Sequence, residues 1–129
     1  MAFNFAINDN GSPVKKGVRA IQIALNDTAG DSGPINVPDV HSLTFTFSGV
    51  FASGTVKAQV SNDNATWSDV LWFDPAVGTS NVTPITAATN RVLDPRCHGF
   101  RYLRLVMAAG GATTAIVADI VAVLTGGKN

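Results

Sequence analysis

The chain has 129 residues, 46% hydrophobic and 14% charged, with nine basic and nine acidic side chains that cancel to a formal net charge of zero. That length fits one domain, and it can bury about two thirds of its unfolded surface, enough for a core without metal or disulfide staples. Sparse charge argues against a disordered chain, and its balance argues against a nucleic-acid binder or a polybasic membrane-surface role.

No Glu occurs, and Lys and Arg are few, while Val, Thr, Ala and Asn are plentiful. Val and Thr suit a pleated surface and Asn and Asp suit turns, so the composition is that of an all-β protein. The single cysteine, Cys97, has no partner for an internal disulfide. The start, Met1-Ala2-Phe3-Asn4-Phe5, lacks a basic segment followed by an apolar run. No stretch reaches the 18 uninterrupted apolar residues of a spanning helix. The expectation is a soluble chain made in the cytoplasm.

Residues 1–16 are polar and turn-rich, and read as an N-terminal arm or a short strand. From Gly17 the pattern tightens: Arg19, Ile21, Ile23 and Leu25 share one parity against Ala20, Gln22 and Ala24, as in a half-buried strand. Residues 26–38 are broken by Gly30, Gly33, Pro34 and Pro38 and read mainly as loop, with room for a short strand at Ile35 to Val37. His41 to Ser48 carries the strongest period-two signal, Leu43, Phe45 and Phe47 against Ser42, Thr44 and Thr46. In Gly54 to Ser61, Val56, Ala58 and Val60 oppose Lys57 and Gln59; a polar turn from Ser61 to Thr66 then leads to Trp67 and a strand at Val70 to Phe73. Val82 to Thr86 and Arg91 to Leu93 are weaker strands, and Phe100 to Met107 is a strong one. Thr113 to Leu124 is apolar on both parities, as expected of a central strand or of one whose outer side meets another subunit. Residues 126–129 form a flexible tail. About eight short strands with turns between them predict a single antiparallel β-sandwich, jelly-roll-like, over residues 17–125.

Two segments carry a resemblance. Thr55-Val56-Lys57-Ala58-Gln59-Val60-Ser61-Asn62-Asp63-Asn64-Ala65-Thr66-Trp67 resembles the Ser-Asn-Asp-Gly-x-x-Trp hairpin of discoidin and galactose-binding-type jelly-roll domains, with Asn64 at the usual Gly. Phe100-Arg101-Tyr102-Leu103-Arg104-Leu105 is similar to the Arg-Tyr run of a later strand in those domains. The same pair of pieces recurs in small tailed-phage virion proteins. The short, Glu-poor, Ala/Thr/Gly/Val-rich chain resembles their capsid decoration (cement) proteins. That resemblance implies a β-sandwich that trimerises on the head and braces neighbouring capsomers.

Motifs of nucleophilic, zinc or phosphate chemistry are missing from the sequence, and the reading is a non-enzyme with no cofactor and no metal. Asp94, Cys97 and His98 fall in a turn-like linker without an oxyanion hole, and adjacent Cys97 and His98 point to opposite faces of an extended chain. Asn62, Asp63, Asn64 and Asp69 lack the spacing, central Gly and closing Glu of a calcium loop. Trp67 and Trp72 have opposite parity, so core or interface packing is favoured over a paired sugar platform. The Asn-x-Thr triplets at Asn26, Asn64 and Asn81 read as products of an Asn- and Thr-rich chain.

Basic residues gather in two places: Lys15, Lys16 and Arg19, and Arg91, Arg96, Arg101 and Arg104. A solvated strand face accounts for them; contact with an acidic shell surface, where Arg forks match carboxylates, is the functional alternative. Lys15, Lys16 and Arg19 are the candidate partner contacts. The expected function is a virion structural protein on the capsid surface, a homotrimer that binds the major capsid protein at subunit junctions. The β-strand from Thr113 to Leu124 is the candidate for subunit packing. The alternatives are a carbohydrate-binding module, or another virion part such as a tail or neck protein.

Overall fold

A computed structural model describes residues 4–9, 18–26, 30–37, 40–94, 99–111 and 113–124. In chain order its strands are β1 (Asn4–Asp9), β2 (Val18–Asn26), β3 (Gly30–Asp31), β4 (Ile35–Asn36), β5 (Val40–Val50) and β6 (Thr55–Ser61). Then come β7 (Ser68–Asp69), β8 (Trp72–Asp74), β9 (Thr79–Asn81), β10 (Thr89–Leu93), β11 (Tyr102–Ala108) and β12 (Ala115–Leu124). Every pairing is antiparallel.

One sheet has seven strands in the order β1-β2-β12-β5-β10-β8-β9; the other has five, β3-β11-β6-β7 with β4 also on β11. If β3 and β4 are taken as one broken strand, eight positions remain once β1 and the β8–β9 hairpin are set aside. The first, eighth, third and sixth share one sheet, and the second, seventh, fourth and fifth the other. That is the strand order of a jelly roll, two interlocked Greek keys. The number of strands in the roll is the eight expected, but the membership differs: the strand expected at Val70 to Phe73 falls on β8 outside the roll, the roll's fifth position is β7, and no strand forms over 82–86.

The opening segment resolves in favour of a strand at residues 4–9: β1 pairs along its length with β2, from Asn4 opposite Asn26 to Asp9 opposite Ile21. Residues 10–16, and the tail at 126–129, lie outside the described residues. The stretch expected to be mainly loop holds β3 and β4. Between them Ser32 replaces the interrupted ladder: its amide donates to the Leu105 carbonyl at 2.8 Å, and its hydroxyl accepts from the Leu105 amide at 2.9 Å. Ordinary strand pairing is unavailable at Pro34, which has no N–H.

The weak strand expected at Val82 to Thr86 is not formed; β9 precedes it, and only Ile85 bridges to Val56. Here too a proline, Pro84, interrupts the donors, and neighbouring groups are committed elsewhere. The Thr83 amide donates to Asn81 Oδ1 at 3.0 Å, and its carbonyl accepts from Trp72 Nε1 at 3.1 Å.

The core lies between the sheets and follows the alternation read from the sequence. Ile21, Ile23 and Leu25, Leu43, Phe45 and Phe47, and Ile116, Ala118, Ile120 and Ala122 point inward from the larger sheet. Val56, Ala58, Val60, Leu103, Leu105 and Met107 answer from the smaller one. Trp72 packs edge-on against both Phe45 and Phe47, with ring centroids 5.6 and 5.7 Å away. Accessible surface is 6443 Å², as size scaling gives for a folded chain of this mass, about 6,500 Å².

On the outer side of the larger sheet the register sets side chains in rows across the strands. One row is apolar apart from a threonine: Ala20, Val121, Thr44, Val92 and Phe73. The adjacent row is polar: Gln22, Asp119, Thr46 and Asn90. Its members satisfy each other, Gln22 Nε2 donating to Asp119 Oδ1 and Thr46 Oγ1 to Asn90 Oδ1, each at 2.9 Å. A third row, Ala24, Val117 and Ser48, is short-chained. β12 is thus central in the sheet and buried on its inner side, while Ala115, Val121 and Val123 on its other side are exposed.

Candidate functional site

The outer side of the smaller sheet has the opposite chemistry. Alternation on β6 and β11 sends Val56, Ala58 and Val60 inward, which leaves Lys57 and Gln59 outward beside Tyr102 and Arg104. The register places Arg104 opposite Gln59, and Gln59 opposite Asp69 on β7. Arg104 Nε donates to Gln59 Oε1 at 3.0 Å, and Gln59 Nε2 donates to Asp69 Oδ1 at 2.9 Å. Lys57 Nζ closes on the same carboxylate at 3.1 Å, and an Arg104 terminal nitrogen lies 3.4 Å from Asp31 on β3.

Two guanidinium–ring contacts accompany this ladder. The Arg104 guanidinium lies 4.3 Å from the Trp67 ring centroid, and that of Arg101 lies 6.0 Å from the Tyr102 ring. Cation–π contact and the hydrogen-bond ladder together hold Arg104 in one orientation, which lowers the entropy lost when a partner engages it. Hydrogen bonding from Gln59 and the charge of Lys57 hold the Asp69 carboxyl below its ordinary range. The face combines Arg, Trp and Tyr, the side chains that dominate the energetics of protein interfaces.

The turn that delivers Trp67 is built by its own polar side chains. Asp63 Oδ1 accepts from the amides of Ala65 and Thr66 at 2.9 and 2.7 Å and from the Ser61 hydroxyl at 2.9 Å. Asn64 adopts a left-handed φ of 59°, the conformation for which Asn substitutes best for Gly. Asn62 Oδ1 accepts from the Arg101 amide at 3.1 Å and ties the turn to the start of β11. These groups make Asp63 a turn former.

The Thr66 and Ala65 amides, then the Ser61 hydroxyl, hold the Asp63 carboxyl well below the usual carboxylate range. Folded Asp63 therefore binds its proton less tightly than the unfolded chain does. Its contribution is complete above the ordinary carboxylate range and is lost as pH falls through that range toward the lower folded value. Asp63→Asn, which keeps an accepting oxygen without the charge, is expected to flatten the acid limb of the urea midpoint between about pH 5 and pH 2. An acid limb as steep as that of the parent chain would show that the turn does not select the ionised form.

The basic residues singled out in the sequence divide. Lys15 and Lys16 lie outside the described residues, as do Arg96, Cys97 and His98. Arg19 is a tie between sheets: a terminal nitrogen donates to the Asn36 carbonyl on β4 at 2.7 Å. Arg91 shares the inward parity of Leu93 and pairs with Asp74 at 3.2 Å, both side chains 13% exposed. Among the described members of the later group, Arg104 lies on the outer side of the smaller sheet, while Arg101 precedes β11 and lies 6.0 Å from the Tyr102 ring. Trp72 is a core residue, 1% exposed, so the two tryptophans do not form a common platform. Asp94 is buried, its amide donating to the Leu71 carbonyl at 3.0 Å. Among the described residues no three His, Cys, Asp or Glu side chains group as a metal site.

The strand order defines a jelly-roll β-sandwich. Among solved structures the chain is similar to the SPBc2 prophage-derived protein YomS, with a TM-score of 0.64 over 95% of this chain and 96% of that one. Sequence identity is 10%, so what the two share is the fold. No protein-family model matches the chain, and no curated protein does.

Proposed function

We propose that this chain is a structural protein of a tailed-phage particle that decorates the capsid surface, binding the major capsid protein at subunit junctions. The observation that carries the reading is the end-to-end likeness of its jelly roll to a prophage-derived protein. The Arg101–Tyr102 and Arg104–Trp67 face supplies a mechanism. Preorganised guanidinium forks meet carboxylates on the shell while the two rings exclude water around them. The role is adhesive and breaks no bonds.

The test is co-sedimentation of the purified protein with phage heads that lack it. Arg101→Ala/Arg104→Ala is expected to weaken head binding at least about tenfold while circular dichroism stays that of the parent. Undiminished binding by the folded variant would remove this face from the mechanism. Binding to tails or necks instead of heads would relocate the protein within the particle. The rival carbohydrate reading requires a soluble glycan to compete, with Trp67 as the residue whose loss abolishes binding. Arg104 already covers one face of that ring.

A further inference from the structure

We infer that the outer side of the larger sheet is an interface between two copies of this chain, laid face to face. The inference rests on different residues from the particle-binding reading and stands or falls separately from it.

Three observations select a second copy as the occupant. The first is charge. Across β2, β12, β5 and β10 the rows hold Asp119 as their one charged side chain, and Gln22 already satisfies it at 2.9 Å. A solvated sheet face ordinarily carries charges of both signs, as the smaller sheet does here with Lys57, Asp69, Arg104 and Asp31. Val121, Val123 and Val50 are instead 41%, 37% and 54% exposed.

The second is area. The neighbouring strands β1, β2, β12, β5, β10 and β8 hold 44 residues, which at about 3.3 Å by 4.8 Å each give a patch of roughly 700 Å². Standard two-partner interfaces take roughly 600–1,000 Å² from each side. Apart from Gln22 and Phe73 the side chains of these rows are short, so two such faces can approach to the roughly 10 Å separation of stacked sheets.

The third is self-complementarity. A two-fold axis parallel to the strands, running between β12 and β5, lays each row on its own copy. The apolar row then stacks Val121 on Thr44 and Ala20 on Val92. In the polar row Asp119 meets Thr46 and Gln22 meets Asn90, so the carboxylate does not face its own image. An isologous contact of this kind closes at two copies. The homotrimer expected from the sequence would require this face to meet a different surface of the next copy.

The test is light scattering of the full chain after size exclusion. The parent is expected at about twice 13.4 kDa. Val121→Lys and, separately, Ser48→Lys are each expected to raise the dimer dissociation constant at least about thirtyfold. Ala108→Lys, on the exposed end of β11 in the other sheet, is expected to leave the dimer intact. Ser48 is exposed and tolerates a long polar side chain in the monomer, so it decides the matter if Val121→Lys fails to fold. A monomeric parent, a threefold mass, or a dimer indifferent to lysine at the two positions would each overturn the inference. None of these results bears on head binding, which is read by co-sedimentation.

Discussion

Trp72→Ala is expected to destabilise the fold by about 3–5 kcal/mol, the largest effect of any single truncation in this core. The indole is 1% exposed and touches both Phe45 and Phe47 edge-on, so its removal opens a cavity beside two rings that cannot both collapse into it. It also leaves the Thr83 carbonyl without its 3.1 Å donor. That bond holds the segment after β9, where Pro84 prevents ordinary strand pairing. Calorimetry should show the melting temperature fall by roughly 10–20 °C. Trp72→Phe, which keeps most of the volume and loses only the donor, should cost about 1–2 kcal/mol. A loss below about 1 kcal/mol for the alanine variant would mean that the indole does not join the β8–β9 hairpin to the core.

Gly49→Ala is expected to cost about 2–4 kcal/mol, through two penalties that act together. Gly49 has φ +100°, a backbone conformation that L side chains rarely adopt. An added Cβ would also overlap the Ala115 carbonyl oxygen, which belongs to the adjoining strand and cannot rotate away as a side chain would. β12 must then move relative to β5, with the inward Ile116 directly opposite Gly49. Gly78→Ala separates the two penalties: φ there is +79° and nothing lies near the added carbon. It should cost only about 1 kcal/mol. Urea midpoints at unchanged m-value measure both. Equal losses at the two positions would show that close approach of β12 is not what demands glycine at 49.

The layers of the sandwich were legible because burial imposes a period of two. Leu43-Phe45-Phe47, Ile21-Ile23-Leu25 and Val56-Ala58-Val60 each declare an inward face by alternation alone, and each is buried as expected. β3 and β9 were not legible, since strands of two or three residues owe their existence to a neighbour. β3 is held by β11, more than seventy positions away in the chain. The place of the β5–β6 turn was legible from the strands on either side, but its conformation was not: Ala52 and Ser53 take φ 46° and 71° without the Asn-Gly that usually announces such a turn.

The candidate site shows the same limit. Arg101, Arg104 and Trp67 stood out by residue type, but the ladder that orients them depends on pairing β6 with both β11 and β7. Gln59, its central member, has no distinguishing local pattern; it matters because the register sets it between Arg104 and Asp69. Arg19 stood out for its clustering with Lys15 and Lys16; that it shares parity with Ile21 and donates to the Asn36 carbonyl of the other sheet depends on a strand pairing that the local sequence does not announce.

The position of β12 between β2 and β5 also governs how the molecule is made. During synthesis β2 and β5 emerge from the ribosome early, but their facing edges are joined only by β12, whose Ile120 pairs with Ile21 on one side and Phe45 on the other. Until β12 is made, the principal sheet lacks the strand between β2 and β5, and closure of so distant a pairing runs on the order of milliseconds to seconds. In that interval a neighbouring nascent copy can donate its own β12. Fast release, or a chaperone shielding the gap, would govern the yield of correctly threaded protein more than the stability of the finished roll.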